Sequence, residues 1–274
     1  MTQQQDPHNP YTPPESSVDD VAVATNNENE VFVPGGQAVP AGEGVNWIGQ
    51  AWNFMKPKLG MWVLLGVILF VIMMIIQFIP FLNILATLIM PVFIGGIMAL
   101  CEKQRTTGEF DLGLLFSGFQ KNAGSLIGVG AVMFGVMILS LIVMFVVGGS
   151  ALFALAMSAE TGSDPSMALT GASTGMMFLA FLLMFVIYMV GYALTWFAPA
   201  LIVIHNLTLG QAISMSLSAV KKNILPGLLY FIVLGIVMTI SVLPLGLGLL
   251  ITMPLMLATY YTSYRSLFIA NAKQ

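Results

Sequence analysis

The side chains best suited to chemistry in this 274-residue chain are two histidines, one cysteine and a few serines, and their spacing leaves them without helpers. A metal site needs several His, Cys or carboxylate groups at set intervals. His8 and His205 stand far apart, and neither an HExxH motif nor clustered carboxylates occur. The lone Cys101 excludes an intrachain disulfide and any Cys-based metal site. Nucleophilic catalysis needs a base within reach of the attacking group. Cys101 neighbours Glu102 and Lys103 but no histidine, and Ser140 sits inside an apolar run with no ionisable residue. No Walker lysine follows Gly148-Gly149 or Gly246-Leu247-Gly248, so these read as turn or packing glycines. His205 with Asn206 reads as the polar end of a helix rather than a ligand contact. The expectation is no catalytic residue, no metal, no cofactor and no enzyme.

Proline is the residue type that does recur in a pattern. Met90-Pro91-Val92, Ala198-Pro199-Ala200 and Met253-Pro254-Leu255 each fall in an apolar run, and Thr87 and Thr195 stand four residues before the first two prolines. Proline lacks the N–H of a helical ladder bond, and its ring crowds the carbonyl four residues earlier. Each helix is expected to kink there, with the two threonine hydroxyls satisfying backbone groups freed from the ladder. Pro91, Pro199, Pro254, Thr87 and Thr195 are therefore the candidate kink or cavity residues.

The elements that position them must be membrane helices. Hydrophobic residues make up 58% of the chain and charged residues 8%, more apolar surface than a soluble domain of this size can hide. Six runs near 60–79, 82–101, 123–148, 176–205, 226–243 and 246–265 are each long enough to cross a bilayer. The third extends beyond the membrane through Ala151 to Met157, and the fourth is long enough to require a tilt or bend. Pro80 with Asn83, residues 159–175, and Pro244 with Gly246 and Gly248 mark the turns on one side. All nine Lys and Arg residues fall on the other: Lys56, Lys58, Lys103, Arg105, Lys121, Lys221, Lys222, Arg265 and Lys273. Cytoplasmic loops retain such residues, which predicts both ends in the cytoplasm. None of the six runs holds Asp, Glu, Lys or Arg in its apolar interior, which counts against proton-coupled carriers and voltage sensors.

Residues 1–44 carry seven acidic side chains and no basic one, with no apolar period, and read as a disordered acidic cytoplasmic tail. Within it, Asn9-Pro10-Tyr11-Thr12-Pro13-Pro14 favours an extended conformation. The N-terminus shows neither a basic stretch nor an apolar core of a signal peptide, so the first run is expected to direct its own insertion. Residues 45–274 form the six-helix transmembrane domain. No basic cluster exceeds two residues, so nucleic acid is not an expected partner. Membrane lipids are, together with a protein partner or a second copy of the chain.

Each pair of runs is preceded by a short segment with apolar residues at helical spacing: Trp47, Ile48, Ala51, Trp52 and Met55; then Leu112, Leu115, Phe116 and Phe119; then Leu209, Ile213, Leu217 and Val220. These predict amphipathic helices lying in the cytoplasmic interface ahead of three helical hairpins, with Thr208 and Gln211 as a capping box. Small residues at Gly124/Gly128 and Ala131/Gly135 predict close helix approach. Tyr260, Tyr261 and Tyr264 predict an interfacial aromatic belt, and most of the 20 methionines lie in the runs, giving an adaptable interior.

Four strings carry a family resemblance: Asn46-Trp47-Ile48 with Trp52; Leu114-Leu115-Phe116-Ser117-Gly118-Phe119; Trp196-Phe197-Ala198-Pro199-Ala200-Leu201; and Tyr261-Thr262-Ser263-Tyr264-Arg265-Ser266-Leu267-Phe268. Together, over roughly residues 44–270, the chain resembles an uncharacterised proteobacterial family of six-span inner-membrane proteins. That family is distantly similar to the membrane domain of glycerophosphoryl diester phosphodiesterases. The resemblance implies an all-α fold and an inner-membrane location and carries over no catalytic residue. The functional expectation is a non-enzymatic envelope scaffold or regulatory partner. The alternative is a passive transporter or lipid-handling protein with a cavity between the proline-kinked helices.

Overall fold

Runs of Leu, Ile, Val, Met and Phe this long satisfy their backbone within helices, and helix dominates the fold. The structure, a computed structural model, describes residues 30–78, 82–164 and 172–271. A short strand, β1 (Glu30–Phe32), opens it. Then come α1 (Glu43–Met55), a 3-10 turn (Lys56–Lys58), α2 (Leu59–Phe78) and α3 (Leu82–Thr107). A second 3-10 turn (Leu112–Phe116) leads through α4 (Ser117–Gln120) into α5 (Ala123–Thr161) and α6 (Ala172–Thr195). The chain finishes with α7 (Ala198–His205), α8 (Leu209–Lys222), α9 (Ile224–Val242), α10 (Leu249–Phe268) and β2 (Ile269–Asn271).

Five stretches are long and apolar enough to cross a membrane: Glu43–Phe78, Leu85–Thr107, Ala123–Thr161, Ser173–His205 and Ile224–Val242. Their outward side chains include Phe70, Phe78, Phe145, Phe153 and Phe178, all mostly exposed. An apolar surface of that extent requires lipid. α5 runs 39 residues without interruption, so the third helix does continue past the expected span. The sixth expected span corresponds to α10, whose second half reads Thr-Tyr-Tyr-Thr-Ser-Tyr-Arg-Ser and falls short of that hydropathy.

Instead, α10 is the most enclosed of the long helices. It packs against α1, α2, α3 and α9, while α5 packs chiefly on α6 and α3, and α3 also meets α7. Tyr261 and Tyr264 are buried to within 1% exposure, which corrects the aromatic-belt expectation. Their rings pack inside the protein near the C-terminal end of α10, Tyr261 against Phe54 and Tyr264 against Phe268.

The amphipathic segments do form helical elements, and in the first and third protein takes the place assigned to lipid, while the second buries Leu115 and leaves Phe116 and Phe119 exposed. Trp47, Ala51 and Met55 of α1 are buried against α9 and α10, leaving Trp52 exposed. Contact is close enough that a Cβ at Gly44 would lie 1.9 Å from the Pro226 carbonyl oxygen. In α8 the buried face is Ala212, Ser216 and Ala219, with Leu209, Ile213, Leu217 and Val220 only half-buried beside it. Small side chains there bring α8 close to the broken α6/α7 helix. The expected capping box is present: Thr208 Oγ1 accepts from Gln211 N and Gln211 Oε1 accepts from Thr208 N at 3.0 Å. Close helix approach occurs at Gly128, against Leu209, and at Gly130, where a Cβ would lie 2.5 Å from the Leu88 carbonyl; Gly124 and Gly135 face open space.

Residues 30–44 also depart from the expected tail. β1 pairs antiparallel with β2 in the register Glu30↔Asn271, Val31↔Ala270 and Phe32↔Ile269. Beyond it, Gln37 N donates to Leu267 O, and Asn223 grips the segment through Val39 N and Gln37 O. Lys222 Nζ donates to the Gly35 and Gly36 carbonyls. Val31-Phe32-Val33 is a short β-prone string whose pairing partner lies at the far end of the sequence. The Asn9–Pro14 string, His8, Pro80, Pro165 and Lys273 lie outside the described residues.

Candidate functional site

Pro199 sets the geometry of the site. Its helix does not bend smoothly but breaks at Trp196 and Phe197, separating α6 from α7. The missing ladder bond would run from Phe197 N to Ala193 O. The Ser216 hydroxyl of α8 inserts between them, accepting from Phe197 N at 3.1 Å and donating to Ala193 O at 2.9 Å. Tyr260 of α10 donates its hydroxyl to the Trp196 carbonyl. Thr195, expected to satisfy the freed groups, donates instead to Gly191 O at 2.8 Å, one turn back within α6. The repair therefore comes from two other helices, which is why the break is a fixed feature rather than a loose hinge.

Beside this break lies a cavity of ≈ 370 Å³ whose walls come from α2, α3, α5, α6, α7, α9 and α10. Thr87, Pro91, Thr195 and Pro199 all line it, so four of the five candidate residues meet in one space. Pro254 does not: its ring rests against Gly66 and fixes the α2–α10 contact. The lining is almost wholly apolar, with Met90, Met98, Met133 and Met256 supplying flexible, polarizable walls. Met90 and Tyr192 line the cavity and are also exposed (38% and 46%), so it communicates with the outer surface of the bundle. Its volume lies in the range of small-molecule sites, roughly 300–1,000 Å³.

Among the described residues three buried polar atoms are unsatisfied: the Tyr230 hydroxyl, Trp47 Nε1 and His205 Nδ1. The Tyr230 and Trp47 rings meet edge to face with centroids 6.1 Å apart. Tyr230 lines the cavity.

A second, polar cluster occupies the end of the bundle where β1 docks. Glu30 Oε1 lies 2.6 Å from Arg265 Nη2 and 3.5 Å from Arg105 Nη1. Arg105 also pairs with Glu102, whose other oxygen accepts from the Tyr261 hydroxyl at 2.5 Å. His205, read from sequence as a helix end, is buried there: Nε2 lies 2.5 Å from the Tyr264 hydroxyl and the Phe32 ring centroid lies 3.9 Å from its own, tilted by 32°. Further out, Asp111 accepts from Lys103 at 3.1 Å and from Gly113 N at 2.9 Å, which holds its carboxyl below the usual range. Among the described residues no three His, Cys, Asp or Glu side chains gather as a metal site.

Sequence reasoning missed Ser216, Tyr230 and Glu30. The Ser216 signal was there in retrospect, a hydroxyl on the small-residue face of α8. Against known proteins, the chain matches no family model, no curated protein and no solved structure.

Proposed function

We propose that this protein is an integral protein of a bacterial inner membrane that holds a lipid in the cavity beside the α6/α7 break, with no bond-making chemistry of its own. One observation carries the reading: four residues chosen for their proline pattern line a single apolar space that reaches the membrane-facing surface. A scaffold needs no such space, so lipid handling is preferred to the scaffold or regulatory reading. Methionine-rich walls suit a flexible hydrocarbon chain better than a rigid solute.

The proposal includes six crossings, with α10 as the sixth, and cytoplasmic termini. Support comes from β1–β2 pairing, which puts both ends of the described chain on one side, and from the basic residues Arg105, Arg265 and Lys222 gathered around that strand. Reporter fusions after Asp164 and at the C-terminus should report opposite compartments, and the same compartment for both would refute the topology.

Native mass spectrometry of the gently solubilised protein tests the function. A co-purifying lipid should appear at one per chain, and Val129→Phe, which fills the cavity, should remove it. A chain that is uniformly lipid-free, or binding that Val129→Phe leaves intact, would overturn the reading.

A further inference from the structure

We infer that the cavity takes its lipid tail first, from the leaflet opposite the basic, strand-docked end of the bundle, and leaves the headgroup outside. The inference rests on the lipid-handling reading above and names which lipids can reach the site.

The level of the opening carries the argument. Among the lining residues, Met90 and Tyr192 are the exposed ones. Met90 stands 12 residues before Glu102, the first charged residue of α3, and eight residues after Leu82, where that helix begins. At 1.5 Å per residue these separations are about 18 and 12 Å. The hydrocarbon core is about 30 Å thick, so Met90 lies close to its midplane. Tyr192 stands 13 residues before His205, which puts it about 20 Å of helix from the same basic end. Two helices thus agree on the level of the mouth.

From that mouth the space runs toward the basic end and closes. On α3 the lining extends from Thr87, one turn beyond Met90, down to Met98. Met98 lies four residues before Glu102, Val129 six residues into α5, and Pro199 six residues before His205, so all three sit about 6–9 Å from that end. Each is buried. The cavity is a blind slot that starts near the middle of the bilayer and descends to one side.

Direction follows from this shape. The acyl chains of each leaflet point from their headgroups to the midplane. A chain of the far leaflet meets the mouth with its free end already aimed down the slot. A chain of the leaflet beside the basic end brings only its last methylenes to that level and must fold back to enter. Entry by the headgroup would carry a polar or charged group into hydrocarbon. No charged side chain lines the slot to receive one.

The test uses the full chain with an affinity tag at its C-terminus, which β2 places at the basic end. Capture of the tag sorts phosphatidylcholine vesicles into those with the basic end outward and those with it inward. A phosphatidylcholine bearing a diazirine at the end of one chain is loaded into the outer leaflet from cyclodextrin and photolysed before it crosses between leaflets. Labelling of Met98 and Met133, read by peptide mass spectrometry, should be about tenfold stronger with the basic end inward, the ratio given by a difference near 1.4 kcal/mol between the two routes. Moving the diazirine next to the ester should shift labelling from Met98 to Met90; Met98 labelled by that probe would mean headgroup-first entry and would overturn the inference. Met90→Trp, which narrows the mouth at an exposed position, should weaken the Met98 label, and an unchanged label would place the entrance elsewhere and overturn it too. Equal labelling from both leaflets, or a preference for the leaflet at the basic end, would sink the leaflet selection while leaving the lipid cavity standing. Labelling from neither leaflet would sink both.

Discussion

At the docked strand, Glu30, Arg105, Glu102, Arg265 and Tyr261 close one connected set of ion pairs and hydrogen bonds. The cavity wall, by contrast, is almost wholly apolar and reaches the outer surface of the bundle through Met90 and Tyr192. The same chain thus closes one end with paired charges, where His205 Nδ1 is the buried atom left without a partner, and keeps an open apolar space at the other. Charged groups cannot be left unpaired in a partly dry site at tolerable cost, so the polar end is a closed structure. An apolar wall carries no such requirement, and a site that must admit a guest can stay open. The comparison assigns structure to the first region and binding to the second.

The α6/α7 break belongs to the structural side of this division, although it borders the cavity, because Ser216 and Tyr260 satisfy it. Ser216→Ala should therefore have the largest effect, about 2 kcal/mol of stability, since a backbone N–H and a carbonyl lose their bridge at once. Unfolding in mixed micelles measures this; a neutral result would show that the break is not held by that hydroxyl. Glu30→Gln removes the carboxylate shared by two guanidinium groups. With side chains 17–23% exposed, the contribution falls between that of surface and buried pairs, about 1 kcal/mol. Amide exchange across Val31–Gln37 should quicken roughly fivefold while lipid binding is unchanged. Loss of lipid binding in that variant would erase the division between the two regions.

The smallest effect concerns Asp111, at the exposed margin of the polar end. Its carboxyl is depressed first by the hydrogen bond from Lys103 and next by Gly113 N–H. A carboxyl lowered in the folded state contributes above its unfolded value, and that contribution is lost as pH falls through the depressed one. Acid titration should release the Gly113 amide only below the ordinary carboxylate range, and Asp111→Asn should remove this pH dependence without changing behaviour at neutral pH.

Apolar length and proline position were legible in the sequence because both act locally: helices follow from hydropathic runs, and a ring without an N–H interrupts a ladder wherever it falls. The capping box at Thr208 and Gln211 was legible for the same reason. Illegible were contacts between residues far apart in the chain. Glu30 looks like any acid in a polar segment until β1 meets β2, and Ser216 looks like a solvated serine until α8 lies against the break. Tyr261 and Tyr264 resembled a surface belt because aromatic residues at a helix end suit lipid headgroups and a crowded core equally well. For the cavity, the four lining residues were identifiable, yet Tyr230 was not, since nothing local distinguishes it from the other tyrosines in apolar runs.

The claim on which the rest depends is that a lipid resides between α3, α6 and α9. A high-resolution structure of the protein extracted with its native lipids examines it directly. The account predicts an elongated density along Met90, Met133 and Thr195. A cavity that is collapsed, or filled by protein side chains alone, would contradict it.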